Sequence, residues 1–240
     1  MRQKVTFQDL GQCRYEDAWN YQTELHKRLI DRKKPSFEAK NTSLPEGTPE
    51  HHLLFVEHPP VYTLGKSGTP DHLLLSEEEL GQQGFEFFKI NRGGDITYHG
   101  PGQLVVYPIF DLEYFFRDVQ RYVRGLEETI IRTLADYGIV AARMPGYTGV
   151  WLDVDSDSRK RKICAIGVHI SRWVTLHGLA FNVNPELGHF HNIIPCGIQE
   201  TDKGVTSLSI ELGRWVDMGE VKEKVRGKFA EVFDFEYDNS

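Results

Sequence analysis

The chain has 240 residues, 40% hydrophobic and 26% charged, a globular balance that excludes an intrinsically disordered chain. At this length folding buries roughly 70% of the extended chain's surface, so the core needs no disulfide or metal staple. The 28 Lys and Arg against 35 Asp and Glu leave a formal charge of -7, which argues against a general nucleic-acid binder, because such proteins carry a basic footprint. No stretch approaches the apolar length of a membrane span, and Met1 to Leu10 lacks the apolar region of a secretory signal. Cys13, Cys164 and Cys196 have no paired spacing, as expected of a protein of the reducing cytoplasm.

In chain order, Lys4 to Phe7 reads as a short strand. Tyr15 to Arg32 reads as a helix, with Tyr15, Ala18, Trp19, Gln22, Leu25 and Leu29 near one face. Its early Glu16 and Asp17 and its late Lys27, Arg28, Arg32 and Lys33 suit the helix dipole. The proline-bearing stretch Pro35 to Pro49 reads as an exposed loop. His52 to Glu57 and Val61 to Leu64 are apolar extended segments. Ser76 to Gln83 reads as a short helix with Ser76 as N-cap and Glu79 at the capping-box position. Phe85 to Ile90 and Gln103 to Phe110 read as strands. Tyr114 to Tyr137 is predicted as the longest helix, stopped by Gly138 at the C′ position. Val150 to Val154, Lys162 to Ile170 and Trp173 to Val183 follow as strands, with a polar turn at Asp155 to Ser158. A short helix from Thr206 and a longer one from about Met218 to Val232 close the chain. Strands and helices mix without a regular βαβ rhythm, so the fold class expected is α+β, a mixed sheet with helices packed on it, in one domain over residues 1–240.

Four segments carry candidate chemistry. Arg92 to Gln103 holds four glycines in twelve positions, which permit close backbone approach to a ligand; a hairpin with two glycine turns explains them as well. It is neither a Walker A loop nor a dinucleotide fingerprint. Arg159-Lys160-Arg161-Lys162 leads into an apolar strand. Lys162 differs from its neighbours because its amine can lie over the sheet, where desolvation lowers a lysine pKa. Cys164, followed by apolar residues, reads as a packed core thiol. His177 to Asn184 places small residues in a strand, leaving room for a ligand or for a helix. Pro195 and Gly197 bracket Cys196 in a turn, the exposure a nucleophile requires; Cys13 has turn neighbours too, with no basic group prominent beside it. His51-His52 and His189-Phe190-His191 are the closest histidine pairs, and no metal-binding spacing accompanies them, so neither a metal nor another cofactor is expected.

Together these segments resemble the lipoyl(octanoyl) transferase family over nearly the whole chain. The motifs are His58-Pro59-Pro60-Val61-Tyr62-Thr63-Leu64-Gly65, Arg92-Gly93-Gly94 with Thr97-Tyr98-His99-Gly100-Pro101-Gly102-Gln103, Gly149-Val150-Trp151, Lys162 with Ile166-Gly167, His177-Gly178-Leu179-Ala180 with Asn182, and Pro195-Cys196-Gly197. The resemblance implies a fold like that of biotin and lipoate protein ligases. It places the acyl-accepting cysteine on Cys196 and the catalytic lysine on Lys162. The acyl-binding segments fall on Arg92, Gly93, Gly94, Asp95, Ile96, Thr97, Tyr98 and His99, on Ala165, Ile166 and Gly167, and on Gly178, Leu179 and Ala180. Ala165 stands where family members often carry Ser, so a hydroxyl is missing there. Pro35 to Pro49 looks like an insertion.

The implied reaction moves octanoyl from acyl carrier protein to a lysine of lipoyl domains, those of 2-oxoacid dehydrogenase complexes and of the glycine cleavage H protein. It needs no ATP, because the donor thioester is already activated. Lys162 would take the Cys196 proton and later a proton from the incoming amine. Three other readings compete: an ATP-dependent lipoate or biotin ligase, a cysteine hydrolase, and a non-catalytic module that binds the carrier protein. Arg159, Lys160 and Arg161 are either a solvated hairpin tip or a basic patch that steers the acidic carrier.

Overall fold

A computed structural model describes residues 2–38, 49–194 and 203–238. In chain order its strands are β1 (Gln3–Gln12), β2 (His51–Glu57), β3 (Val61–Leu64), β4 (Glu86–Lys89), β5 (Ile96–His99), β6 (Gln103–Ile109), β7 (Ala142–Met144), β8 (Tyr147–Leu152), β9 (Lys160–Ser171), β10 (Val174–Asn182), β11 (Lys203–Val205) and β12 (Phe235–Tyr237). The helices are α1 (Tyr15–Glu38), α2 (Glu77–Gln83), α3 (Val119–Ala135), α4 (Leu208–Leu212) and α5 (Met218–Phe233).

Among the described residues one sheet runs β12-β1-β2-β6-β10-β9-β8-β7, with β11 added to β9. The β1 strand is parallel to both β2 and β12, and β2, β6, β10, β9, β8 and β7 follow antiparallel. A second sheet runs β4-β3-β5. The central β6 and β10 are buried at every position, because α3 and α5 cover one face and α1, together with the loop before β5, covers the other. Tyr122, Leu126 and Ile130 of α3 and Val221, Val225 and Phe229 of α5 share a core with Leu104, Val106 and Phe181 on one face. On the other face Ala18, Leu25 and Leu29 of α1 pack with Val105, Tyr107 and Leu176. The small sheet has its own core around Tyr62, Phe85 and Tyr98. This is the expected α+β arrangement of a mixed sheet flanked by helices.

Local sequence signals hold where they are self-contained. The α2 helix begins with the Ser76–Glu79 capping box in both directions and ends on Gly84 in the left-handed conformation. The α3 helix ends with Gly138 N–H on the Ala135 carbonyl and Ile139 N–H on the Leu134 carbonyl, the paired bonds of a Schellman motif, so Gly138 acts as foreseen. Three expectations need correction. The Tyr114–Tyr137 helix starts later, at Val119, because the Asp118 side chain accepts the Arg121 N–H and caps it there; Leu112–Tyr114 is a separate 3-10 turn. The longest helix is α1, which continues past Arg32 through Pro35 to Glu38. Lys33 holds that end down, its buried ammonium 2.6 Å from Asp111 and 2.8 Å from Glu113. The rest of the expected loop, residues 39–48, lies outside the described residues. Finally, β5 and β6 do not form a hairpin: β5 pairs with β3 in the small sheet and β6 with β2 and β10 in the large one. Gly100 to Gly102 is the point where the chain changes sheets. No helix among the described residues is long and apolar enough to cross a membrane.

Candidate active site

A cavity of about 340 Å³ opens on the α1 face of the large sheet, where β9, β10 and β6 run side by side. Its floor follows from strand register. Ala165 faces Ala180, which faces Val105, and Gly167 faces Gly178 in the next row. These small residues leave an apolar trough where larger ones would fill it. At the other end Gln103 stands opposite Asn182, and its amide N–H donates to Asn182 Oδ1 at 2.9 Å. His177, at φ 61°, gives its backbone N–H to Gln22 of α1. The helix thus covers the start of β10, and the cavity covers Gly178 to Ala180.

The roof over the Gly167 row is the loop before β5. Gly93 N–H donates to the Val168 carbonyl at 2.9 Å. A Cβ on Gly167 would stand 2.9 Å from both Arg92 Cδ and the Gly93 carbonyl oxygen. Arg92 is buried, and its guanidinium donates to the Thr63 carbonyl at 2.7 Å, Thr63 Oγ1 at 3.0 Å and the Gly93 carbonyl at 3.0 Å. Burial pulls its pKa down. Asp95 accepts from Ile96 N–H at 2.7 Å and meets His72 Nδ1 at 2.5 Å, which pins the loop's far side.

The inner wall is polar and neutral. Gln103 uses its amide N–H groups on the Tyr98 carbonyl and Asn182, so its oxygen accepts from His99 Nδ1 at 2.7 Å. His58 Nδ1 donates to the Cys13 carbonyl, so Nε2 accepts the Tyr107 hydroxyl at 2.8 Å. Tyr15 stacks on His99 at 6.1 Å. Burial holds His99 and His177 down to a pKa of about 3 and His58 to about 4. The interior therefore presents uncharged rings to a ligand.

Tyr147, Thr148, Lys162, Phe190 and Val205 line the cavity and are more exposed than its inner wall, so they mark its mouth. Lys162 lies half-buried on β9, and its Nζ sits 4.6 Å from the centre of the Trp151 ring. The mouth thus carries a cation and the trough carries none on its floor, an arrangement that admits an apolar chain.

Residues 14–230 match a family described as the lipoyl protein ligase A/B catalytic domain. The chain is 54% identical over 237 residues to an octanoyltransferase of Flavobacterium johnsoniae, covering 98% of this chain and 99% of that one. It is 52% identical to the octanoyltransferase of Christiangramia forsetii, covering 98% of each. The chain belongs to the lipoyl(octanoyl) transferase family. Among solved structures it is similar to a putative lipoate protein ligase from Thermoplasma acidophilum with bound lipoic acid, at a TM-score of 0.65 and 15% identity over 99% of this chain and 88% of that one. That likeness shows the lipoate ligase fold. Family relatives carry the name octanoyltransferase, so the family is one of acyltransferases.

Most family-signature residues meet in one place. Arg92, Gly94, Asp95, Ile96, Thr97 and His99 line the cavity from the roof side, and Lys162, Ala165, Ile166, Gly167, Gly178, Leu179 and Ala180 from the sheet. Two do not line it. Gly93 serves the roof through its backbone, and Tyr98 points into the small sheet's core, packed on Tyr62 at 5.4 Å. Cys196, with Pro195 and Gly197, lies outside the described residues. The reading of Cys164 as a core thiol holds, since it is fully buried and burial raises its pKa. Tyr15, Val105, Tyr107, Thr148, Asn182 and Phe190 also line the cavity without having been singled out as site residues. Tyr15 and Tyr107 sit on α1 and β6, far apart in the chain, and no spacing signals their meeting. Arg161 departs from the basic-patch expectation: it donates to both Glu211 oxygens at 3.0 and 3.1 Å and to Asp153 at 2.7 Å, so its charge is spent inside the fold.

Proposed function

We propose that this protein carries octanoyl from the thioester of acyl carrier protein to a lysine of a lipoyl domain through a thioester on Cys196, within one catalytic unit in the cytoplasm. The acceptors are the lipoyl domains of 2-oxoacid dehydrogenase complexes and the glycine cleavage H protein. The observation that carries this reading is a near full-length likeness to octanoyltransferases joined to a small-residue trough with Lys162 at its mouth. The other two cysteines support Cys196, because burial raises the thiol pKa of both Cys13 and Cys164.

In this mechanism Lys162 takes the Cys196 proton, giving a thiolate beside an ammonium. The thiolate attacks the donor carbonyl, the carrier's sulfur leaves, and Lys162 returns the proton to that leaving thiolate. The target lysine amine then attacks the Cys196 thioester. Neutral Lys162 accepts its proton as the amide forms, and Cys196 leaves as thiolate. Full conversion to thiolate gains at most ~30-fold, about 2 kcal/mol. Larger contributions come from holding the acyl chain in the trough and from oxyanion donors, roughly 3–4 kcal/mol for one donor.

Mass spectrometry of the protein mixed with octanoyl-carrier protein tests the reading. An octanoyl mass is expected on the Cys196 peptide and none on Cys196→Ala, which also loses transfer. The fold is shared with a lipoate-protein ligase A solved with ATP bound, at a TM-score of 0.63 and 15% identity, so free octanoate with ATP is the second arm. Lipoyl-domain modification in that arm, retained in Cys196→Ala, would replace the acyl-enzyme by an adenylate route.

A further inference from the structure

Trp151 stands opposite Lys162 across the β8–β9 ladder and is fully buried. The Lys162 ammonium lies 4.6 Å from the ring centre, within cation–π range, and indole is the strongest aromatic partner for a cation. A regular ladder does not produce this pair. The register slips between Val150 and Trp151, next to Gly149 at φ 123°, where a Cβ would stand 2.6 Å from the Cys164 carbonyl oxygen. Buried Glu127 of α3 fixes that irregularity by accepting the Gly149 N–H at 3.1 Å, and Arg124 and Arg143 hold its other oxygen. The Trp151 indole N–H has no hydrogen-bond partner among the described residues. A phenylalanine would fill the core there without an idle donor; what indole adds is the larger π face under Lys162.

We propose that Trp151 is a positioning residue that acts through Lys162, its ring seating the lysine ammonium at the cavity mouth. The inference rests on the reading that Lys162 serves Cys196. Among the described residues, the charged and titratable groups around the pair include Tyr147 of β8, whose ring meets Trp151 at 5.9 Å, and Lys203 of β11, which lies over Tyr147. Glu127 of α3 reaches the pair through Gly149, and Cys164 and the ion-paired Arg161 flank Lys162 on β9.

The test uses the full chain with Trp151→Leu, which removes the π face, and Trp151→Phe, which keeps a smaller one and the packing. Lys162 is titrated by NMR on nitrogen-15-lysine protein, assigned against Lys162→Arg. Iodoacetamide alkylation is followed on the Cys196 peptide across pH, in wild-type and Lys162→Ala backgrounds. Losing the ring should lower the Lys162 midpoint by about one pH unit and slow alkylation near neutrality by up to about tenfold, with a smaller step for Trp151→Phe. In Lys162→Ala, Trp151→Leu should change alkylation no further. An unmoved Lys162 midpoint in both variants, or an equal loss on both backgrounds, would reduce Trp151 to packing. If Cys196→Ala still transfers octanoyl, the acyl-enzyme reading fails, while the Lys162 titration still decides whether the ring holds the ammonium.

Discussion

Gly167 stands opposite Gly178 across β9 and β10, and neither position has room for a side chain. At Gly178 a Cβ would fall 2.1 Å from the Val106 carbonyl oxygen, which is backbone; at Gly167 it would meet the Arg92 side chain and the Gly93 carbonyl oxygen. Gly178→Ala should therefore destabilise the fold by about 3 kcal/mol or more, and Gly167→Ala by about 1–2 kcal/mol. The second variant should also raise KM for octanoyl donors, because the Arg92 roof must lift. Urea midpoints and a KM measurement on both variants check this.

Lys162→Arg separates charge from proton transfer. Arginine keeps a cation beside the proposed thiolate but does not release a proton to the leaving carrier thiol at neutral pH. Transfer should fall about 100-fold or more, nearly as far as in Lys162→Ala, while alkylation of Cys196 near neutrality stays well above the alanine variant. Transfer restored to near wild type would make Lys162 an electrostatic partner alone.

Stability should weaken on mild acidification. Burial holds His99 and His177 near 3 and His58 near 4, whereas in the unfolded chain they titrate near 6.5. Below that value the unfolded chain binds more protons than the folded one, so stability falls as pH drops from about 6.5 toward 4 and is fully present above it. Each histidine adds a slope of up to about 1.4 kcal/mol per pH unit. Urea midpoints measured between pH 7.5 and pH 5 should show the decline, and His99→Gln should flatten it.

Carrier steering is best tested without Arg161, whose ion pairs to Asp153 and Glu211 would break on charge reversal. Arg159→Glu with Lys160→Glu should slow Cys196 acylation about two- to fivefold at low salt and converge with wild type at high salt. Equal rates at low salt would assign the run to solubility.

Features that depend on a few neighbouring residues were readable in the sequence: the Ser76–Glu79 capping box and the Gly138 stop; β6 was readable as a strand, but its burial at every position was not. Features that depend on distant partners were not. The extension of α1 past Arg32 is fixed by Lys33 meeting Asp111 and Glu113, eighty or so positions further on. The glycines between β5 and β6 read equally well as a hairpin, because a chain that changes sheets uses the same turn chemistry. At the site, the Arg92 loop, Lys162 and the Gly149-Val150-Trp151 segment stood out through motif order, whereas Tyr15 joins it through helix packing and Tyr107 through strand pairing, neither of which a local pattern encodes.

The β1 strand has β12 as its outer neighbour, with Lys4 and Glu236 joined 232 positions apart. One edge of the main sheet is thus sealed only when the last described strand arrives. Such long-range closure slows folding, and during synthesis β1 waits with an unpaired edge open to other chains. Removing Phe235 to Tyr237 should leave the distant cavity built but the protein prone to edge-to-edge association, so that loss of soluble yield, rather than loss of catalytic rate per folded molecule, is the signature of damage at this end.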